Sequence, residues 1–151
     1  LMFVSIIREN LPNGKIILWF VILAGWGTDV FAYFSGKYLG THKFSEISPN
    51  KTIEGCVGGT IGATILIVAY AAICNNVFGM DINYLLIAGI GILLSIVGQI
   101  GDLAASSIKR YVGIKDFSHL IPGHGGMLDR IDSLIFIAPF AYILLNLIYI
   151  I

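Results

Sequence analysis

Charged and polar side chains are concentrated in one short segment of this chain, between two long apolar runs. Residues 106–132 read SSIKRYVGIKDFSHLIPGHGGMLDRID, and apolar runs at 84–103 and 131–151 flank them. Together with Asp102 just upstream, the segment holds eight of the 18 Asp, Glu, Lys and Arg residues. Ionisable groups at membrane-helix depths are costly and are usually functional. The segment is therefore the first candidate for a site of chemistry.

Two carboxylates that bracket this segment could hold a divalent metal ion. Asp102 lies near the end of an apolar helix, where a negative charge opposes the helix dipole unless a cation compensates it. Asp129 and Asp132 lie on the opening turn of the next run, where Asp129 could instead cap the helix. Mg²⁺ commonly takes one or two protein carboxylates and completes its shell with water and substrate phosphate. Asp102 and Asp129 could therefore share Mg²⁺, with a second cation allowed.

Other residues of the same segment suit phosphate binding. On a helix that continues past the apolar run, four-residue spacing places Asp102, Ser106 and Lys109 or Arg110 on one face. The glycines of the turn at 122–126 allow unusual backbone angles and close approach of a ligand. The alternative for Lys109 and Arg110 is that they are cations at a helix end whose charged groups extend to the membrane surface.

A second polar stretch, residues 48–55, reads SPNKTIEG. Ser48 as N-cap and Pro49 in the first turn predict that a helix begins here. A helix N-terminus with Lys51 beside it is suited to bind a phosphate group. The alternative is a basic loop that only marks the cytoplasmic side of a membrane.

The composition places the chain in a membrane. Of its 151 residues, 57% are hydrophobic and only 12% are charged, whereas soluble domains average about 25% charged residues. Runs long enough to span a bilayer fall at 15–33, 56–78, 83–103 and from 131 to the end. We interpret residues 1–7 as the end of an earlier helix. We therefore expect this chain to be a C-terminal part of a longer protein.

The predicted fold class is all-α. We expect a polytopic membrane helical bundle of about four full transmembrane helices plus the end of an earlier one, forming a single catalytic domain over 1–151. Apolar and polar residues do not alternate with a period of two over stretches long enough for a membrane strand, which disfavours a transmembrane β-barrel. Small residues four apart, Gly58 with Gly62 and Gly91 with Ser95, predict close helix packing rather than chemistry.

Basic residues indicate the orientation, because cytoplasmic loops carry an excess of Lys and Arg. One side receives Lys37, Lys43, Lys51, Lys109, Arg110, Lys115 and Arg130, whereas the other receives Arg8 and Lys15. We expect one long polar loop at 35–55 and a second within the segment 106–132. Both loops, and with them Asp29, Asp102 and Asp129, are then expected at the cytoplasmic boundary. The formal net charge is zero, so bulk charge gives no indication of a nucleic-acid partner.

The spacing of these polar residues resembles the signature of the phosphatidate cytidylyltransferases, also called CDP-diacylglycerol synthases. The matching positions are Ser106, Lys109, Arg110, Lys115, Asp116, Pro122, His124, Gly125, Gly126, Asp129, Arg130 and Asp132. The resemblance continues upstream at Trp26, Asp29, Ala32, Tyr33, Ser48, Pro49, Lys51, Thr52, Glu54 and Gly55. Thr28 departs from it, because many members carry Asn there. A match over so many spaced polar positions is highly specific.

The resemblance implies Mg²⁺-dependent transfer of the cytidylyl group from CTP to phosphatidic acid, giving CDP-diacylglycerol and pyrophosphate for phospholipid biosynthesis. It implies catalytic roles for Asp102, Asp129, Lys109, Arg110 and His124, the first two also as metal ligands. It implies substrate binding by Asp29, Lys51, Thr52, Ser106, Lys115, Gly125, Gly126, Arg130 and Asp132.

The expected partners are CTP, phosphatidic acid and the lipid bilayer, without nucleic acid, and a homodimer is allowed. The expected location is the cell inner membrane, or an endoplasmic reticulum or mitochondrial-type membrane in a eukaryote. The active site is expected on the cytoplasmic face.

Two other functions remain open at the level of sequence. A CTP-dependent polyprenol kinase would share the membrane site but transfer the terminal phosphoryl group. A transporter would use intramembrane acids near paired broken helices at the midplane, whereas the acids here cluster at one boundary. A CDP-alcohol phosphotransferase is disfavoured, because its dense Asp-Gly-x-x-Ala-Arg run is missing from the sequence.

Overall fold

The computed structural model describes residues 2–10, 13–44, 51–114 and 132–150, which form five α-helices. In chain order they are α1 (Met2–Asn10), α2 (Gly14–Leu39), α3 (Ile53–Phe78), α4 (Tyr84–Tyr111) and α5 (Asp132–Ile150). Within these described ranges the only β pairing is an isolated bridge between Lys43 and Thr52. The prediction of an all-α fold is therefore confirmed.

Three of the helices are long and apolar enough to cross a membrane. These helices, α2, α3 and α4, contain 26, 26 and 28 residues. At 1.5 Å per residue each is roughly 40 Å long, which exceeds the roughly 30 Å hydrocarbon core of a bilayer. The apolar stretch described in α5, Leu134–Leu145, is shorter. The predicted count of about four full spans is therefore not confirmed, and three are found among the described residues.

α2 packs most extensively against α3, and glycines of α3 allow that approach. A Cβ atom at Gly59 would lie 2.9 Å from the Thr28 carbonyl oxygen, and one at Gly62 would overlap the Phe31 side chain. Only residues without a side chain let the two helices come this close. The close packing predicted at Gly58 and Gly62 is thus found, with α2 as the partner.

The polar loop predicted at 35–55 is wrong at its beginning, because α2 continues through Leu39. The Ser35 hydroxyl donates to the Phe31 carbonyl oxygen at 2.6 Å, so its polar group is satisfied within the helix. The same side chain lies against Gly58 of α3. Contact with α3 therefore keeps a polar stretch helical beyond the apolar run.

The predicted loop is also wrong at its end, because α3 begins at Ile53. Its N-cap is Thr52, whose hydroxyl oxygen accepts a hydrogen bond from the Gly55 backbone N–H at 3.1 Å. We had expected Ser48 to be the N-cap of this helix, and that prediction is wrong. Residues 45–50, which include Ser48 and Pro49, lie outside the described residues.

The interior of the bundle is formed by large aliphatic side chains from different helices. Val21, Ile67, Leu94 and Ile137, from α2, α3, α4 and α5, are each at most 2% exposed. They belong to one cluster of buried residues, so these four helices share a single core. α4 packs between α3 and α5, and α5 also contacts α1 and α2. This arrangement fixes the ends of α2, α3 and α4 relative to one another.

Candidate active site

A pocket of about 190 Å³ lies between α2, α4 and the beginning of α3. The residues of its lining that bear on chemistry are Asp29, Lys51, Thr52, Cys56, Gln99 and Asp102. Four of these were predicted from the sequence as site residues, namely Asp29, Lys51, Thr52 and Asp102. They come from widely separated stretches, and the packing of three helices brings them to one cavity.

An ion pair between Lys51 and Asp102 is the central contact of this pocket. The Lys51 Nζ donates to the Asp102 Oδ2 at 3.0 Å. The two side chains are only 29% and 18% exposed, so water screens the pair less than it screens a surface salt bridge. The cation that a carboxylate late in α4 was expected to need is therefore supplied by Lys51 in this structure.

The backbone of Lys51 is held by the segment that follows α2. The Phe44 N–H donates to the Lys51 carbonyl oxygen at 2.8 Å, and the Ile53 N–H donates to the His42 carbonyl oxygen at 3.0 Å. These two bonds pair residues 42–44 with 51–53 in antiparallel fashion around the Lys43–Thr52 bridge. The pairing places Lys51 at the entrance of α3, from where its side chain reaches α4.

Glu54 ties the same segment to the first turn of α3. Its carboxylate accepts a hydrogen bond from the Thr41 hydroxyl at 2.6 Å and one from the His42 backbone N–H at 3.2 Å. The His42 Nδ1 lies 2.7 Å from the same carboxylate oxygen. A carboxylate in this first turn also interacts favourably with the helix dipole. Glu54 therefore holds the connection that places Lys51, and it does not line the pocket itself.

α4 carries the remaining described site residues past the pocket. The helix continues to Tyr111, as we predicted, so Asp102, Ser106 and Lys109 lie on one face by four- and three-residue spacing. Ser106 and Lys109 are half-buried and Arg110 is exposed, and none of the three is among the residues lining the pocket. They follow Asp102 by one to two helical turns.

Part of the predicted site lies outside the described residues and stays a prediction. These residues are Lys115, His124, Gly125, Gly126, Asp129 and Arg130. Asp132 begins α5, but its side chain is not described. The expected pairing of Asp102 with Asp129 around a metal ion is therefore still a prediction.

Gln99 is a pocket residue that the sequence analysis missed. Its Nε2 donates to the Cys56 carbonyl oxygen at 3.1 Å and to the Thr60 Oγ1 at 2.9 Å, so it links α4 to α3. It lies one helical turn before Asp102, within a run that we interpreted only as a span. An amide side chain inside an apolar helix commonly bonds across to a neighbouring helix, and this feature could have identified it.

The pocket has the donor atoms that Mg²⁺ prefers. Asp29 and Asp102, which carry carboxylates, line it from α2 and α4, and Thr52, which carries a hydroxyl, lines it from the N-cap of α3. Hard divalent ions bind such oxygen ligands and accept substrate phosphate in the remaining positions. Among the described residues, no group of three or more His, Cys, Asp or Glu could hold a metal. The described residues of the pocket therefore fit a metal ion that takes only one or two protein carboxylates.

Comparison with known proteins gives consistent matches. A model of the Cytidylyltransferase family matches residues 1–148. A protein of Bacillus subtilis (strain 168) named phosphatidate cytidylyltransferase is 44% identical over 142 residues, covering 93% of this chain and 51% of that protein.

Proteins of the same name show similar coverage in two other organisms. That of Staphylococcus aureus (strain COL) is 44% identical over 91% of this chain and 52% of its own length. That of Synechocystis sp. is 41% identical over 89% of this chain and 44% of its own length. The chain therefore spans about half the length of the curated relatives that it matches.

Proposed function

The chain belongs to the cytidylyltransferase family, and we propose that it provides the catalytic pocket of a phosphatidate cytidylyltransferase. In the proposed reaction a phosphate oxygen of phosphatidic acid attacks the α-phosphorus of CTP. A new phosphorus–oxygen bond forms, and the bond from the α-phosphorus to the bridging oxygen of the β-phosphate breaks. CDP-diacylglycerol and pyrophosphate are the products.

The observation that carries this proposal is the Lys51–Asp102 ion pair inside the pocket. The attacking phosphate of phosphatidic acid is already anionic, so the reaction needs no activated side-chain nucleophile. What it needs is neutralisation of two approaching anions and their alignment for in-line displacement. A pocket that holds carboxylates from α2 and α4 and a lysine just before the N-cap of α3 supplies groups for both tasks.

Four described residues of the pocket have roles in this proposal. Lys51 and Thr52, at the N-terminus of α3, bind phosphate oxygens of CTP, since a helix N-terminus with a nearby cation favours anions. Asp102 and Asp29 would hold Mg²⁺ together with Asp129, the second ligand expected from the sequence. When bound there, Mg²⁺ would neutralise charge on the CTP phosphates and on the leaving pyrophosphate.

The predicted orientation fits the two substrates. The pocket lies at the end of the bundle where the basic residues Lys37, Lys43, Lys51 and Lys109 gather, which by the positive-inside rule is the cytoplasmic side. We therefore propose that CTP enters from the cytosol. Phosphatidic acid then reaches the same pocket from the bilayer in which α2, α3 and α4 are embedded.

Double-label transfer from CTP tests this function and separates it from the kinase alternative. The protein is produced at its full natural length, purified in lipid nanodiscs with phosphatidic acid, and given Mg²⁺ and CTP labelled on either the α- or the γ-phosphorus. We expect the α-label in the extracted lipid and the γ-label in pyrophosphate. A γ-label in the lipid of a polyprenol-containing nanodisc would instead establish a kinase. If neither label enters a lipid, the proposed function is wrong.

A further inference from the structure

A set of hydroxyl and amide groups lies inside the bundle beside the pocket, and two of its members, Thr28 and Gln99, also line the pocket. The hydroxyl oxygens of Thr28 and Ser95 share a hydrogen bond of 2.8 Å, and Ser95 also contacts the Thr60 Oγ1 at 3.3 Å. The Gln99 Nε2 donates to the same Thr60 Oγ1 at 2.9 Å. We call Thr28, Thr60, Ser95 and Gln99 the hydroxyl–amide cluster. Its members come from α2, α3 and α4, so one hydrogen-bonded chain joins all three candidate spans.

The cluster lies within one helical turn of the pocket's polar groups on every helix. Thr28 directly precedes Asp29 on α2, and Gln99 lies one turn before Asp102 on α4. On α3, Thr60 lies one turn after Cys56, whose carbonyl oxygen accepts from Gln99 at 3.1 Å. A rotation or shift of any one helix would therefore break hydrogen bonds of the cluster and, at the same time, move the adjacent pocket residue.

Burial limits the hydrogen-bond partners that are available to these side chains. Thr28 is 2% exposed and Ser95 is fully buried, so neither has an alternative partner in water. Leaving such a group without a hydrogen bond in a membrane interior is costly. The Cys56 carbonyl oxygen can only accept, so the Gln99 atom facing it must be the amide nitrogen, which fixes the orientation of that side chain. The bonds between helices depend on the register of the three helices, whereas Thr28 and Thr60 also bond within their own helices, to the carbonyl oxygens of Ala24 at 2.6 Å and Cys56 at 3.1 Å.

We propose that the hydroxyl–amide cluster is a positioning device for the pocket. It holds α2, α3 and α4 in the register that presents Asp29, Lys51 and Asp102 to a common cavity. Its residues act through those groups and not on the reacting atoms. The kinetic part of the test rests on the proposed cytidylyl transfer, whereas the metal-binding part does not.

Three substitutions remove the cluster's hydrogen bonds with little change of volume. They are Thr28→Val, Ser95→Ala and Gln99→Met, and Thr28→Ser restores the hydroxyl at the first position. Thr64→Val is the matched control, because Thr64 lies one turn beyond Thr60 on α3 and its hydroxyl donates at 2.8 Å to the Thr60 carbonyl oxygen of its own helix. Its loss removes a similar hydroxyl without breaking a bond between helices.

The measurements are made on the full-length protein in nanodiscs, normalised to the folded fraction found by size exclusion. Binding of Mn²⁺ without nucleotide is followed by electron paramagnetic resonance, and kcat and KM are determined for CTP and phosphatidic acid. We expect the three cluster variants to bind Mn²⁺ about tenfold more weakly and to have a kcat about tenfold lower. Losses of this size are usual when the coupling between packed groups is disturbed. KM for phosphatidic acid should stay unchanged, and Thr28→Ser and Thr64→Val should match the parent.

A purely structural role would lower the folded yield while the folded fraction kept the parent's Mn²⁺ affinity and kcat, and that result would overturn the proposal. Equal losses in Thr64→Val would overturn it as well, because the effect would not depend on bonds between helices. If the parent transfers no cytidylyl group but the cluster variants still lose Mn²⁺ binding, the proposed function fails and the positioning role stands.

Discussion

Lys51 and Asp102 are 51 residues apart in the chain, and a 3.0 Å hydrogen bond joins the Lys51 Nζ to the Asp102 Oδ2. The bond connects the entrance of α3 to the late part of α4, across the pocket. It places a cation and an anion where the proposed reaction requires a phosphate-binding group and a metal ligand.

Removing the Lys51 charge should abolish most of the transfer activity. Lys51→Met keeps a long, unbranched side chain but removes the ammonium group that would bind CTP phosphate. We expect product formation from CTP to fall about 10²–10³-fold, the usual effect of losing one preorganised electrostatic contact. The assay is label transfer from [α-³²P]CTP to lipid. Lys37→Met is the control, since Lys37 is exposed on α2 with its Nζ 5.9 Å from the centre of the Tyr33 ring. A Lys51→Met protein with parental activity would show that Lys51 does not bind the nucleotide.

The orientation can be tested by thiol labelling. In a background with Cys56 and Cys74 replaced by Ala, single cysteines are introduced at the exposed positions Lys43, Val112 and Asp81. Lys43→Cys and Val112→Cys should react with a membrane-impermeant maleimide only from the cytoplasmic side. Asp81→Cys, in the connection between α3 and α4, should react only from the opposite side. Labelling of Lys43→Cys and Val112→Cys from different sides would exclude a single site at one end of the bundle.

A methyl group at the α2–α3 contact should destabilise the bundle. A Cβ atom at Gly59 would lie 2.9 Å from both the Thr28 carbonyl oxygen and the Ala32 Cβ, so Gly59→Ala must push the two helices apart. We expect a loss of about 1–3 kcal/mol, which is typical of overpacking, seen as a lower melting temperature in detergent. Gly89→Ala is the control, because nothing lies within 4 Å of its added Cβ atom. A melting temperature of Gly59→Ala equal to that of Gly89→Ala would argue against this packing.

The lengths of the apolar runs in the sequence were sufficient to locate α2, α3 and α4. The ends of α2 and α3 were misplaced, because polar residues such as Ser35 were assigned to a loop. In the structure Ser35 remains helical by bonding to Phe31 and packing against Gly58. Such a contact depends on where another helix lies, and composition along the chain does not contain that information.

The same limit applies to the site. Lys51 and Asp102 were each identified by their local setting, as a cation at a helix entrance and an acid in an apolar run. Their pairing could not be deduced, since no spacing rule relates residues on helices whose relative register is unknown. Gln99 was overlooked because a single amide does little to the hydropathy of a span, although its bonds to Cys56 and Thr60 cross between helices.

The most direct test of the proposed site is the removal of the Asp102 charge. Asp102→Asn has nearly the same shape but removes one anionic oxygen from the proposed metal site, and Asp129→Asn does the same at the expected second ligand. Asp81→Asn, at an exposed position between α3 and α4, is the control. All three proteins should insert and purify like the parent. For Asp102 the reason is that its half-buried carboxylate is not part of the aliphatic core.

The deciding measurement is the rate of [α-³²P]CTP-dependent lipid labelling by Asp102→Asn as Mg²⁺ is varied. We predict a rate about 10²–10³-fold below the parent at limiting Mg²⁺, with Asp129→Asn similarly impaired and Asp81→Asn fully active. A near-parental rate of Asp102→Asn at limiting Mg²⁺ would contradict the assignment of this pocket as the site of cytidylyl transfer.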